Sequence, residues 1–401
     1  MMQITDNTKE QKIVPLFRLG FRPFFLFAAL FSVLAIGLWV GTLSGLFNFE
    51  PYGNSLWWHG HEMLFGFAFA VIIGFLLTAI QNWTGMPGLK SWPLFILFSA
   101  WLSARIVLLF NISPSYWVLA LDVSTPILAG YFLWRSVAGA KQWRNLFFVP
   151  IMLIFAISNG LMHVSLIEDI PLLATKSVLT MVMLVTLVMC IMGGRVIPFF
   201  TARGTNTEKS NPIAVIEWLS LVPLWLYIVL SILDTVVTIP NLILAPLLLI
   251  AGFANLIRLI RWKPWLTIKV PLVWSLHGAY AFIPLGLIAF GVSLLDPSII
   301  QTLSAIHFLT AGAMGSLILA MMSRVSLGHT GRPLKIKPVI SVAFLLILLA
   351  GVIRAVLPIV APQLSLLSYQ ASGLLWMLSY GIFIWVYLPI LSKARLDGRP
   401  G

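Results

Sequence analysis

The chain has 401 residues, 60% of them hydrophobic and only 9% charged, and its mean hydropathy is +1.00. That much apolar surface exceeds what one core can bury, which excludes a water-soluble globular domain. The net charge of +13 requires no nucleic-acid partner, because basic residues in a membrane protein fix its orientation and meet anionic lipid.

Apolar runs of about 20 residues read as membrane-spanning helices. Twelve occur in chain order, near 24–47, 59–80, 92–110, 116–134, 147–167, 172–192, 212–233, 240–260, 270–292, 301–322, 338–358 and 369–391. The sequence therefore predicts an all-α, polytopic helix bundle, 1–401 forming one transmembrane domain with a cytoplasmic amino-terminal segment at 1–22 and a cytoplasmic tail at 393–401.

The connections test that count, because Lys and Arg favour the cytoplasmic side. Of the 25 basic residues, 22 fall before the first span or in every second connection, among them Arg18 and Arg22, Lys90, Arg144, Arg195, Arg258, Arg324 and Lys393. The intervening connections hold Glu50, Glu168, Asp169, Asp234 and Asp296 and no base. Both termini are thus expected in the cytoplasm. A polar stretch of mixed charge precedes the first span, which reads as an anchor rather than a cleavable signal. Cys190 is the only cysteine, so a disulfide, an iron–sulfur centre and c-type haem attachment are excluded. No phosphate-binding glycine loop, repeat period or pair of inverted halves is apparent in the sequence.

The segment Trp57-Trp58-His59-Gly60-His61-Glu62-Met63 stands at the mouth of the second span. An unpaired titratable group within a span costs roughly 2.5 kcal/mol or more, so such groups read first as a functional site. At about 1.5 Å of rise per residue, His61, His163 and His307 share one layer toward the outer side. Arg105, Lys176, Arg354 and Asp122 fall in the same layer, and the orientation rule accounts for none of these bases. A haem would unite such a layer, offering iron to imidazoles and propionates to cations. His277 lies deeper, and His329 follows the tenth span on the cytoplasmic side.

Each of these residues also has a plainer role. A lone histidine in a membrane helix is often a hydrogen-bonded packing residue, arginines near helix ends snorkel, and Trp57-Trp58 suits an interfacial belt. Coincidence in depth across distant helices favours a site. His59 and His61, two residues apart, cannot share a helix face. His59 with Met63 or Glu62 therefore reads as a second metal site suited to copper, or as an interfacial hydrogen-bonding group. Glu62 suits an acceptor that orients a neighbouring imidazole.

Longer blocks carry a family resemblance. They run from Phe17-Arg18-Leu19-Gly20-Phe21-Arg22-Pro23-Phe24-Phe25 through Trp58-His59-Gly60-His61-Glu62-Met63, the stretch Gly74–Gly85 and Asn159-Gly160-Leu161-Met162-His163, to Gly193–Thr201 and Arg324–Leu334. In these the chain resembles the NnrS family of bacterial membrane proteins associated with the response to nitric oxide. The resemblance implies haem and copper, protection against nitrosative stress, contact with nitric oxide or a related small molecule, and a multi-pass place in the inner membrane.

A looser similarity of architecture links it to the catalytic subunit of haem–copper oxidases and nitric oxide reductases. That similarity implies a b-type haem ligated by His61 with His307, His163 being the reserve ligand. Arg105 and Arg354 would then neutralise the propionates. Spans six and seven contain no histidine, so a binuclear centre of the oxidase type is not expected. Two other functions compete: a transporter or channel with Arg105, Asp122, Lys176 and Glu217 along its path, and a haem-bearing sensor or assembly partner without turnover.

Overall fold

A computed structural model describes residues 11–399. The described residues are helical without strands, and twelve principal helices follow one another: α1 (Phe21–Leu43), α2 (Ser55–Thr84), α3 (Ser91–Val107), α4 (Tyr116–Gly139), α5 (Phe148–Ile167), α6 (Pro171–Thr205), α7 (Ala214–Leu233), α8 (Asn241–Arg261), α9 (Pro271–Leu295), α10 (Thr302–His329), α11 (Pro338–Val360) and α12 (Ser365–Ser392). Each coincides with one predicted span. Eleven are long and apolar enough to cross a membrane, and α3, at 17 residues, is shorter.

Local chemistry sets several ends. The Asn54 side chain accepts the Trp57 N–H at 2.9 Å and so caps α2. Gly85, with φ +71°, closes the same helix in the left-handed conformation. Prolines at the first position start α9 and α11, where a missing N–H costs no hydrogen bond.

Two compact units divide the described chain, one formed by 11–178, 322–334 and 383–399, the other by 179–321 and 335–382. In the first unit Phe24, Phe65, Ile73, Trp101 and Phe155 are buried together with the polar residues considered below. In the second, α8 packs on α7 and α9 around Leu248, Tyr280 and Ile283. Large apolar side chains such as Leu34, Ile127, Leu153, Leu242 and Leu345 remain exposed, as a surface solvated by acyl chains requires.

Several bases counted with the connections lie in helices or their approaches, among them Arg18, Arg22, Arg195, Arg258 and Arg324. Arg22 sits in the first turn of α1, fully buried, and donates from Nη1 to the carbonyls of Leu391 at 2.9 Å and Lys393 at 2.7 Å. Arg18 is buried just before it and donates from Nε to the Ile13 carbonyl at 3.0 Å. Arg258 is buried within α8.

Two helices break in the same way. In α2 the α-helical stretch Ser55–His61 passes into a π-helical turn, Glu62–Ala68, before Phe69–Thr84 resumes the α form. In α10 the stretch Thr302–His307 passes into a π turn, Phe308–Met314, before Gly315–His329. Each break begins one residue after a histidine, and a glycine, Gly66 or Gly312, follows that histidine by five positions. Each helix then ends on a matching motif, Thr84-Gly85-Met86-Pro87 or Thr330-Gly331-Arg332-Pro333, with the glycine at φ +71° or +69°.

The neighbouring helices follow suit: the starts of α1 to α4 (Phe21, Ser55, Ser91, Tyr116) recur 247 to 250 residues later as those of α9 to α12 (Pro271, Thr302, Pro338, Ser365). The chain thus contains a repeated four-helix order that the sequence analysis did not reveal.

Candidate metal centre

The first unit gathers polar side chains from four helices and one loop. The rings of Trp57 and His61 stack, with centroids 4.6 Å apart and planes 9° from parallel, and Phe65 lies 4.9 Å away on a tilted plane. His61 Nδ1 is 2.8 Å from Glu62 Oε1, while its Nε2 is 3.1 Å from both Asp122 Oδ2 and Asn159 Oδ1. His163, from α5, turns Nε2 to the same Asp122 oxygen at 3.2 Å, and its Nδ1 is 3.2 Å from the Tyr52 hydroxyl. His61, Asp122 and His163 are all buried, and one ligand atom from each lies within 4.8 Å of the others.

The π turn shapes the floor of this group. Its Gly66 carbonyl accepts from Trp101 Nε1 at 3.0 Å. A Cβ on Gly66 would stand 2.6 Å from Phe31 Cε1, 2.9 Å from Glu62 Oε2 and 3.0 Å from Arg105 Nη1, so any side chain there would displace these groups. Arg105, in the last turn of the short α3, donates from Nη1 to Glu62 Oε1 at 2.9 Å and from Nη2 to Asp122 Oδ1. The loop before α2 brings in Tyr52, which is completely buried. Burial pushes its hydroxyl up to about 12, so it stays protonated beside His163.

The hydrogen bonds of the group leave more acceptors than donors. If Nδ1–H of His61 donates to Glu62, its Nε2 lone pair faces two acceptor oxygens, Asp122 Oδ2 and Asn159 Oδ1. Two imidazole nitrogens and a carboxylate oxygen that converge in a buried space repel one another unless a proton or a metal ion lies between them. Two Nε2 atoms and one oxygen form a group that could hold a metal ion, with each Nδ1 held from behind by Glu62 or Tyr52.

Of the residues singled out from the sequence, His61, His163 and Arg105 meet here, with Glu62 in the orienting place expected of it. His59 turns to the other face, as its spacing requires, and stacks on Trp39 with centroids 4.5 Å apart and planes 9° from parallel. Met63 lies in the π turn and is half-buried. His329 is 5.7 Å from the Phe21 ring, and its carbonyl accepts from Arg395 at 2.8 Å.

Lys176 lies in the first unit, and His277, His307, Arg354 and Glu217 belong to the second. The Nε2 of His277 is 2.8 Å from Thr201 Oγ1. His307 Nδ1 donates to the Leu303 carbonyl at 2.6 Å, and Arg354 lies 4.1 Å over the Tyr369 ring. Glu217, considered for a transport path, instead binds Arg258 through both oxygens, at 3.1 and 2.8 Å. The same guanidinium donates to Tyr280 Oη at 3.0 Å and Asn255 Oδ1 at 3.1 Å.

Sequence reasoning placed Asp122 in the right layer as a charge but did not see it as a ligand, and it passed over Asn159 and Tyr52. A signal for Asn159 exists: four residues before His163 on one helix, it shares the face of that histidine. Tyr52 lies in a loop and offers no periodicity to read.

No individual curated protein matches the chain significantly. A family model described as NnrS protein matches residues 15–395, nearly the whole chain. The chain belongs to the NnrS family.

Proposed function

We propose that this is a multi-pass metalloprotein of the bacterial inner membrane that acts in the response to nitric oxide and lessens nitrosative damage, with His61, Asp122 and His163 holding a metal ion. One observation carries the reading: both Nε2 atoms converge on a single buried Asp122 oxygen while each Nδ1 is held by a separate partner. Imidazole nitrogen with one carboxylate suits copper, the metal that the family resemblance implies. Bound copper would supply a redox-active centre. Around it the chain's own residues have defined tasks. Glu62 and Tyr52 orient the two imidazoles, Arg105 holds the second Asp122 oxygen, and Trp57 and Phe65 wall His61 from water.

A second cofactor, haem b, is supported by the repeated helix order. His61 and His307 occupy the same place in α2 and α10, each one residue before a π turn. With Nδ1 bonded to the Leu303 carbonyl, His307 would hold the haem iron through Nε2. Arg105 is engaged by two carboxylates, so neutralising a propionate falls to Arg354.

Metal analysis and absorption spectroscopy of the purified protein test both cofactors. His163→Ala is expected to remove copper and leave the haem spectrum unchanged. His307→Ala is expected to do the reverse. Copper content equal to that of the parent in His163→Ala would refute the metal site, and an unaltered reduced spectrum in His307→Ala would refute the haem ligand.

A further inference from the structure

The charges around His61, Asp122 and His163 can be counted. Asp122 and Glu62 bring two negative charges and Arg105 one positive, all three side chains being buried. Ligating imidazoles must be neutral. The group therefore carries one net negative charge when it is ready to receive an ion. A monovalent ion brings the sum to zero. A divalent ion leaves one positive charge without a partner in a buried site, a strongly disfavoured condition.

The guanidinium also decides which atoms remain for the ion. It spans the two carboxylates, taking Oδ1 of Asp122 and Oε1 of Glu62, and leaves Asp122 Oδ2 facing the imidazoles. With Oδ1 so held, Asp122 offers one oxygen rather than a bidentate pair. Hard monovalent ions such as sodium seek several oxygens, whereas two imidazole nitrogens and one oxygen favour a transition metal.

Resting on the metal reading above, we infer that Arg105 and Glu62 are specificity-determining residues that make this site select Cu(I) over divalent ions. Arg105 raises the local charge from minus two to minus one, and Glu62 lowers it from zero to minus one while orienting His61.

Opposite substitutions provide the test. Purified protein is titrated anaerobically with Cu(I) from a competing chelator, and separately with Zn(II), for the parent, Arg105→Gln, Glu62→Gln and Arg105→Lys. The parent is expected to prefer Cu(I). Arg105→Gln should shift the Cu(I) to Zn(II) affinity ratio toward zinc, on the order of a hundredfold for one unit charge a few ångströms away in a protein interior. Glu62→Gln should shift it the other way, and Arg105→Lys should restore the ratio of the parent.

A purely structural role would weaken both metals together and leave the ratio unchanged in every variant. Shifts of the same sign in Arg105→Gln and Glu62→Gln, no shift in either, or a parent that prefers Zn(II), would overturn the inference. His163→Ala separates the two levels: loss of metal there with no selectivity effect at Arg105 sinks only the selection by charge. Metal binding that ignores His163 sinks the site itself.

Discussion

Single residues here act through what they leave room for. Gly66 is the clearest case, because three groups, Phe31, Glu62 and Arg105, would meet a methyl placed on it. Gly66→Ala is expected to displace Arg105 or Phe31 at a cost of roughly 1–3 kcal/mol and to lower bound copper per protein, measured alongside thermal unfolding in detergent. Arg258 illustrates the opposite condition. It is saturated by Glu217, Asn255, Tyr280 and the Cys190 carbonyl, which reads as structural reinforcement of the second unit. Arg258→Leu strands several buried acceptors and should lower stability by about 3 kcal/mol. Copper content should stay at the level of the parent, and a loss of copper would contradict that assignment.

At the level of elements, the π turn in α2 is what aims the histidine. One residue in a helix corresponds to about 100° of rotation, so deleting Leu64 from the turn should restore α geometry and swing His61 away from Asp122 relative to the rest of the helix. Expected results are helicity unchanged by circular dichroism and copper lost; retained copper would show that the turn does not set the site. The helices themselves were legible, because twelve long apolar runs separated by charged connections have no other reading in a membrane. His61, His163, Arg105 and Asp122 were legible as a layer, since depth follows from counting residues. Direction around the helix was not: a π turn shifts the phase between His61 and everything after it, and apolar sequence does not announce where the phase changes. Tyr52 was hidden for a related reason, since a loop residue owes its position to the fold. The repeated four-helix order was hidden because lipid-facing positions accept any large apolar side chain.

For the whole molecule, the start of α1 and the end of α12 are tied within the first unit through Arg22 and the carbonyls of Leu391 and Lys393. The segment after α12 docks as well: Arg395 donates to the His329 carbonyl at 2.8 Å and pairs with Asp397 at 2.6 Å, and the Leu396 N–H reaches the Thr330 carbonyl at 3.3 Å. The Arg395 hydrogen bond holds the Asp397 carboxyl below its usual range. A depressed carboxyl contributes stability above its unfolded value of about 3.9 and loses it as pH falls below that value. Hydrogen exchange at 393–399 should therefore be slow from neutral pH down to about 4 and accelerate in stronger acid, and protection that persists unchanged in strong acid would exclude this pair as the clasp. Cys190, the lone thiol of the chain, is buried beside Arg258. A maleimide applied to the folded protein consequently meets no native target, and each cysteine placed in a connection becomes a clean reporter of sidedness. Replacements at Gly398 and at Ser210 should label only from the cytoplasm, and one at Ser298 only from the opposite side, which would decide the orientation of the bundle without first removing any residue of its own.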